Sequence, residues 1–349
     1  MEYEFRQKEI QNLFRSIGSR YHLKIDISRY YSTIYTHIIP WALHTKIVAK
    51  RRQRDNSLYG NTIDKCIRNM QDAQTLGITI GPDTSAIIAE VIGTALDVEI
   101  QRVYTNDIKG FRQIDDFSLF FNDLSEAEKA LSNVQSILKN YELEINVQKT
   151  KILPLPEQFI PEWKVDIRSF SFRDGNSVKK QNTDLLDYFS KTFKYCTLFP
   201  GDSVLKYALK RIRGETIHPD NWSIYESLIL KSITSDPNCL ETATEILKQY
   251  NDLGYDLNKE RISECINEML LFHSRFRDDH ELSWTLYLAK SLGIRINGTL
   301  IKGLSFLENP IVILGLLDLR ESSLLEDSLD TALWERFIRR EECLRRTGS

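Results

Sequence analysis

Two adjacent carboxylates, Asp115 and Asp116, sit inside Phe111-Arg112-Gln113-Ile114-Asp115-Asp116-Phe117-Ser118-Leu119-Phe120-Phe121, between two short apolar runs. Charges in that setting are costly unless a cation balances them. At the turn of a hairpin the pair would hold a divalent metal at the lip of the core; an acidic turn facing water fits the same residues. A third carboxylate, Asp26, ends the alternating stretch Tyr21-His22-Leu23-Lys24-Ile25-Asp26-Ile27-Ser28, with Leu23, Ile25 and Ile27 on one face and Asp26 on the other. Asp26 alone is equally a strand-end cap.

Between these acids lies Gly77-Ile78-Thr79-Ile80-Gly81-Pro82-Asp83-Thr84-Ser85, ahead of an apolar helix through Ile87, Ile88, Val91, Ile92, Ala95 and Leu96. Its glycines let backbone approach a ligand, Pro82 suits the first helical position, and an open helix N-terminus favours phosphate. An ordinary capped loop is the alternative. A strand-end carboxylate, a later carboxylate pair in a hairpin and a phosphate-tolerant turn are the parts of two-metal nucleotidyl transfer. In that chemistry two Mg²⁺ ions activate a hydroxyl and stabilise the pyrophosphate leaving group.

The elements that must position these groups read as strand, helices, hairpin, helix, strand. Residues 1–18 form a polar helix; after Pro40 a basic helical segment runs to Arg54; residues 62–73 are helical. Ser125-x-x-Glu128 reads as a capping box opening a helix with Ala127, Leu131, Val134, Leu138 and Tyr141 on one face. A strand through Leu143, Ile145 and Val147 leads into Lys149-Thr150-Lys151-Ile152-Leu153, and a β-like segment spans about residues 163–172. From Thr183 the pattern is helical, with short connections that suggest stacked helical pairs. The fold expected is α+β over residues 1–175, an antiparallel sheet with helices, followed by an all-α helical-repeat, HEAT-like domain over residues 176–349.

Composition sets outer bounds. The 349 residues are 42% hydrophobic and 27% charged, with five widely spaced cysteines that suggest neither a disulfide framework nor a zinc site. No apolar run is long enough to span a membrane, and no secretory signal opens the chain, so a cytoplasmic protein is expected. A net charge of −3 leaves any nucleic acid to local basic patches. The candidates are Lys46, Lys50, Arg51, Arg52 and Arg54; Lys206, Lys210, Arg211 and Arg213; and Arg336, Arg339, Arg340, Arg345 and Arg346, each equally a solvated helix face.

In order, these segments resemble the motifs of a reverse transcriptase palm. Asp26-Ile27-Ser28-Arg29-Tyr30-Tyr31 is similar to its first metal-binding motif, and Gly77 to Ser85 to the motif before the long helix. Ile114-Asp115-Asp116 is similar to its catalytic hairpin, and Asn146-x-x-Lys149-Thr150 to the motif that follows. More narrowly, Ser32 through His44 and the Gly-Ile-x-Ile-Gly-Pro-Asp-Thr-Ser run resemble the bacterial abortive-infection group of antiphage defence reverse transcriptases.

The resemblance implies that Asp26 and Asp115 hold the metals, with Asp116 an adjacent ligand or support. The ions would be two Mg²⁺, with Mn²⁺ as a substitute. It implies that Tyr31 excludes the sugar 2′-OH and that Gly81, Pro82, Ser85 and Lys149 approach the nucleotide. From the residues alone, Tyr31 is also a core aromatic and Lys149 an exposed strand-end lysine. His37 reads as packed and hydrogen-bonded, and Arg112 either braces the carboxylates or sits on the surface. The partners implied are dNTPs, a single-stranded DNA product attached to protein, an RNA template in the retron or intron variant of the reading, and further copies of the chain. Gln113 and Ile80 depart from the usual aromatic and Gln of the wider family, and the second departure suggests altered template dependence. Only 25 residues precede Asp26, where the family places its fingers. The chain alone is therefore expected to bind metal and nucleotide weakly, and a catalytically weak palm serving as a scaffold is the alternative.

Overall fold

Leu23, Ile25 and Ile27 are almost wholly buried, and the strand that carries the first two, β1 (Tyr21–Asp26), is one of the two inner members of a four-stranded sheet. The computed structural model describes residues 2–105, 107–173, 177–296 and 309–325. The sheet order is β2-β3-β1-β4, with β2 spanning Lys109–Gln113, β3 Asp116–Phe121 and β4 Lys151–Pro154, every pairing antiparallel. His22, which alternation would send to the opposite face, is also buried. Its ring stacks on Phe120 and its Nδ1 meets the Glu157 carboxylate. Both faces of the sheet are covered at that end.

The chain divides into two compact units, residues 1–160 and 161–349. In the first, α1 (Glu2–Ser16) packs on β2 and β3. The basic segment after Pro40 forms two helices, α3 (Ile38–His44) and α4 (Lys46–Arg51), separated at Thr45 by a positive φ of 72°. They follow a single turn, α2 (Tyr30–Thr33), and precede α5 (Tyr59–Asn69). The long α6 (Asp83–Val103) buries Ile88, Ala89, Ile92, Gly93, Leu96 and Ile100 at helical spacing. Four of its other apolar residues, Ile87, Val91, Ala95 and Val98, line a cavity of about 900 Å³ with Trp41 and Tyr141.

Three local expectations are corrected. The cap of α7 (Leu124–Asn140) is Asp123, whose carboxylate accepts the Ser125 N–H at 2.7 Å, so the helix begins ahead of the capping box expected at Ser125. The strand expected through Leu143 and Val147 reduces to one bridge, Ile145 with Ile27, because Asn146 turns the chain. Its side chain accepts from the N–H groups of Gln148 and Lys149, and Val147 is left in solvent. The segment near 163–172 is largely helix α8 (Glu162–Ser169), not a strand. Trp163 and Ile167, four residues apart, are buried on one side of it, a helical spacing rather than an alternating one.

The second unit is helical through its described residues. It comprises α8, α9 (Val178–Leu198), α10 (Val204–Ile212), α11 (Trp222–Ser235), α12 (Leu240–Asp252), α13 (Lys259–Phe276), α14 (Asp279–Leu292) and α15 (Pro310–Glu321). The division falls between residues 160 and 161, whereas the sequence reading places it at 175/176; Trp163 and Ile167 of α8 belong to the core built by α9 and α10. No described helix is long and apolar enough to cross a membrane.

Candidate active site

The β1–β3 register sets Asp26 directly across from Asp116, and the Ile27 N–H donates to the Asp115 carbonyl at 3.2 Å. Three carboxylates therefore leave adjoining backbone positions. Asp115 lies in the two-residue turn of the β2–β3 hairpin, after Ile114, whose φ of 56° is unusual for a β-branched residue. A hairpin of this kind matches the twist of its strands with positive φ at the first turn position, where glycine is the usual occupant. The strain of holding isoleucine there is of order 1–3 kcal/mol and sits one residue from the first carboxylate.

The surrounding segments are tied to the same strand end by main-chain bonds. Asn146 N–H donates to the Asp26 carbonyl at 2.7 Å and Ser28 N–H to the Glu144 carbonyl at 2.8 Å. Ile78 N–H reaches the Tyr31 carbonyl at 2.9 Å, and Gly77 N–H the Ile34 carbonyl at 2.8 Å. Gly77 has φ 83°, and a Cβ there would approach the Ser32 carbonyl oxygen to 3.1 Å, so glycine is needed for this docking. The hairpin and the Asn146 turn thus meet at Asp26, and the Gly77–Ile78 backbone docks on the segment that follows it, at Tyr31 and Ile34.

The electrostatics are those of an acidic cluster with two lysines drawn in. Burial pushes the Asp115 carboxyl above the usual aspartate range, and the Asp116 and Asp26 carboxylates push it the same way. Lys149 Nζ donates to Asp26 Oδ1 at 3.1 Å, and that bond raises the pKa of its ammonium. Lys8, from α1, donates to Asp116 Oδ2 at 2.5 Å. Among the described residues, the oxygens of Asp26, Asp115 and Asp116 are not drawn within 4.8 Å of one another as a ready-made three-ligand group. Each outer carboxylate is instead turned to its lysine. The donor set still suits a hard divalent ion, being three carboxylates on adjacent backbone.

The Arg112 side chain is only 5% exposed and braces this hairpin from inside. Its guanidinium binds Asp97 through Nε at 3.0 Å and Glu90 through Nη2 at 2.7 Å, and donates through Nη1 to the Ile114 carbonyl at 2.8 Å. These bonds tie the Ile114–Asp115 turn to α6 and hold the Glu90 carboxyl below its usual range. Tyr30, buried beside it, donates its hydroxyl to the Ala89 carbonyl at 2.8 Å.

Of the other predicted residues, Tyr31 is half-buried, edge-on to Tyr30 with centroids 5.9 Å apart. Gly81 and Pro82 are exposed immediately before α6. Gly81 has φ 116° with open space where a Cβ would stand, leaving its backbone approachable. Ser85 is buried in the first turn of α6. His37 is hydrogen-bonded to the buried Asp64, at 2.7 Å. Lys8, Glu90, Asp97 and Gly93 were not anticipated. Lys8 lies 108 residues from its partner and no local pattern signals it. Of the basic patches, Lys206, Arg211 and Arg213 are engaged by Glu241, Glu215 and Glu245, and Arg52 pairs with Asp55. The patch from Arg336 to Arg346 lies outside the described residues.

The profile of the reverse transcriptase (RNA-dependent DNA polymerase) family matches residues 2–188, more than half of the chain, and the chain belongs to that family. No curated protein matches. Among solved structures, a telomerase from Candida albicans, in complex with a fragment of telomeric RNA, is 13% identical. The match covers 69% of this chain and 54% of that one, with a TM-score of 0.32. The apo telomerase of Candida tropicalis is also 13% identical, covering 82% of this chain and 55% of that one, with a TM-score of 0.34. The chain spans about half the length of the telomerase chains it matches.

Proposed function

We propose that the first unit catalyses two-metal nucleotidyl transfer, adding dNTPs to a growing DNA strand. The observation that supports this most is the convergence on Asp26: its strand pairs with the Asp115-Asp116 hairpin, and its carbonyl anchors the Asn146–Thr150 turn. Asp26 and Asp115 would hold the ions, with Asp116 as an outer ligand. Mg²⁺, or Mn²⁺ in its place, supplies charge that lowers the pKa of an attacking hydroxyl and neutralises the leaving pyrophosphate. The chain's own residues position the parts. Arg112 fixes the turn, the exposed backbone at Gly81 and Pro82 meets the triphosphate, Tyr31 closes the sugar pocket, and Lys149 moves from Asp26 towards the phosphates.

The motifs at Ser32–His44 and Gly77–Ser85 support the finer reading of an antiphage, abortive-infection enzyme, protein-primed and template-independent, assembled from several copies. The helical second unit would be its repeat scaffold. Purified protein with dNTPs and Mg²⁺ is then expected to yield DNA covalently attached to the chain. Asp115→Asn is expected to abolish the product, and undiminished synthesis by that variant would remove the assignment.

One observation favours a second reading, a palm kept for binding alone: Lys8 and Lys149 occupy Asp116 and Asp26 as cations would. Under that reading Mg²⁺ and Mn²⁺ leave the thermal stability of the chain unchanged, and no DNA forms with either ion.

A further inference from the structure

Where α13 meets α14, a second group of metal-ligating side chains is assembled, and it owes nothing to the palm. His273 lies in the last turn of α13, Asp278 is the N-cap of α14, and Glu281 is in the first turn of α14. One ligand atom from each falls within 4.8 Å of the other two. Among the described residues this is the group of three that meets that criterion, and the palm carboxylates do not.

Asp278 and Glu281 alone would be the acidic opening of any helix, favoured there by the helix dipole. Two observations go further. The imidazole of His273 is only 6% exposed, yet its Nδ1 is turned to the Asp278 carboxylate at 2.8 Å. Asp278 meanwhile makes no side-chain hydrogen bond to the N–H groups of its own helix, although it stands at the cap position. A carboxylate that forgoes its cap to face an imidazole, with a second carboxylate beside it, is arranged around a point rather than along a helix end. No Lys or Arg forms an ion pair with Asp278 or Glu281 among the described residues; the remaining ion-pair contact is His280 with Glu281 at 3.9 Å. The negative charge gathered here therefore lacks a strong cationic partner.

We propose that His273, Asp278 and Glu281 form a site for a borderline divalent ion, Zn²⁺ by preference. One imidazole nitrogen with two carboxylates suits Zn²⁺ better than Mg²⁺ or Ca²⁺, which take oxygen ligands, and three protein ligands leave a fourth position for water. On binding, the hydrogen bond between His273 and Asp278 is replaced by shared coordination, and a proton on Nδ1 passes to solvent. The ion would pin the α13–α14 turn, where Arg277 already adopts a left-handed conformation at φ 57°.

The test uses the full chain stripped with a chelator and titrated with Zn²⁺, reading bound metal per chain by mass spectrometry and affinity by calorimetry. Asp115→Asn serves as the palm control, and Glu281→Gln and His273→Gln as site variants. A Zn²⁺ ion retained in Asp115→Asn, and bound about tenfold or more weakly in Glu281→Gln, is expected. Should His273→Gln fail to fold, the half-exposed Asp278→Asn takes its place beside Glu281→Gln. Absence of Zn²⁺ binding by the parent chain at micromolar free ion would overturn the proposal. So would loss of the ion in Asp115→Asn with unchanged affinity in Glu281→Gln.

Discussion

The guanidinium of Arg112 lies flat against Gly93 of α6: a Cβ placed on that glycine would come within 2.4 Å of Arg112 Cζ. A glycine in the interior of a helix ordinarily costs about 1 kcal/mol relative to alanine. Here it makes room for Arg112, which joins α6 to the Ile114–Asp115 turn. Arg112 cannot swing aside cheaply, because Glu90, Asp97 and the Ile114 carbonyl hold it on three sides.

Gly93→Ala is therefore expected to separate stability from activity. Helix propensity offsets part of the overpacking, so denaturant unfolding should report a net loss of only about 1 kcal/mol. Nucleotide incorporation should fall about tenfold or more, since the Ile114 carbonyl loses its donor and the carboxylate turn its brace.

Lys8→Gln is expected to make the site easier to load. The Lys8–Asp116 pair is partly exposed, at 27% and 40%, and such pairs contribute roughly 0.2–1 kcal/mol. Removing the competing cation should lower the Mg²⁺ concentration giving half-maximal activity by about 1.5- to 5-fold, measured by metal titration of DNA synthesis.

Tyr31→Ala tests the sugar gate. If the half-buried ring closes the pocket, its removal should raise ribonucleotide incorporation relative to deoxynucleotide by about tenfold or more, with little effect on dNTP use. Single-nucleotide incorporation with each sugar reads the ratio directly.

Acid unfolding should register Glu157. Burial pushes its carboxyl up, but hydrogen bonds from His22 and Lys24 outweigh that and leave it below the usual glutamate range. A depressed folded-state pKa contributes stability that is fully present above the unfolded value of about 4.3 and is lost as pH falls through the folded value. Glu157→Gln should therefore be less stable than the parent at neutral pH, with the gap narrowing below about pH 4 in denaturant titrations.

Much of the site was legible because its parts are local. Alternation marked β1 and its buried Leu23 and Ile25, and the acidic pair between two apolar runs marked the hairpin. The glycines at 77 and 81 marked the turn before α6. What escaped was either long-range or a matter of competing local bonds. Lys8 meets Asp116 only through the tertiary fold. Asn146, by bonding its own backbone, converted an expected strand into a turn, and Asp123 took the cap expected of Ser125. In the segment near 163, the apolar spacing of Trp163 and Ile167 fits a helix, but Phe170 and Phe172 beyond it blurred the period.

The acidic partners of Lys206 and Arg213 lie on α12, so these cations, in α10 and at its C-cap, link that helix to α12 instead of standing ready for phosphate. Dissolved salt screens such surface pairs. Raising ionic strength would thus weaken these two links between α10 and α12 within the second unit.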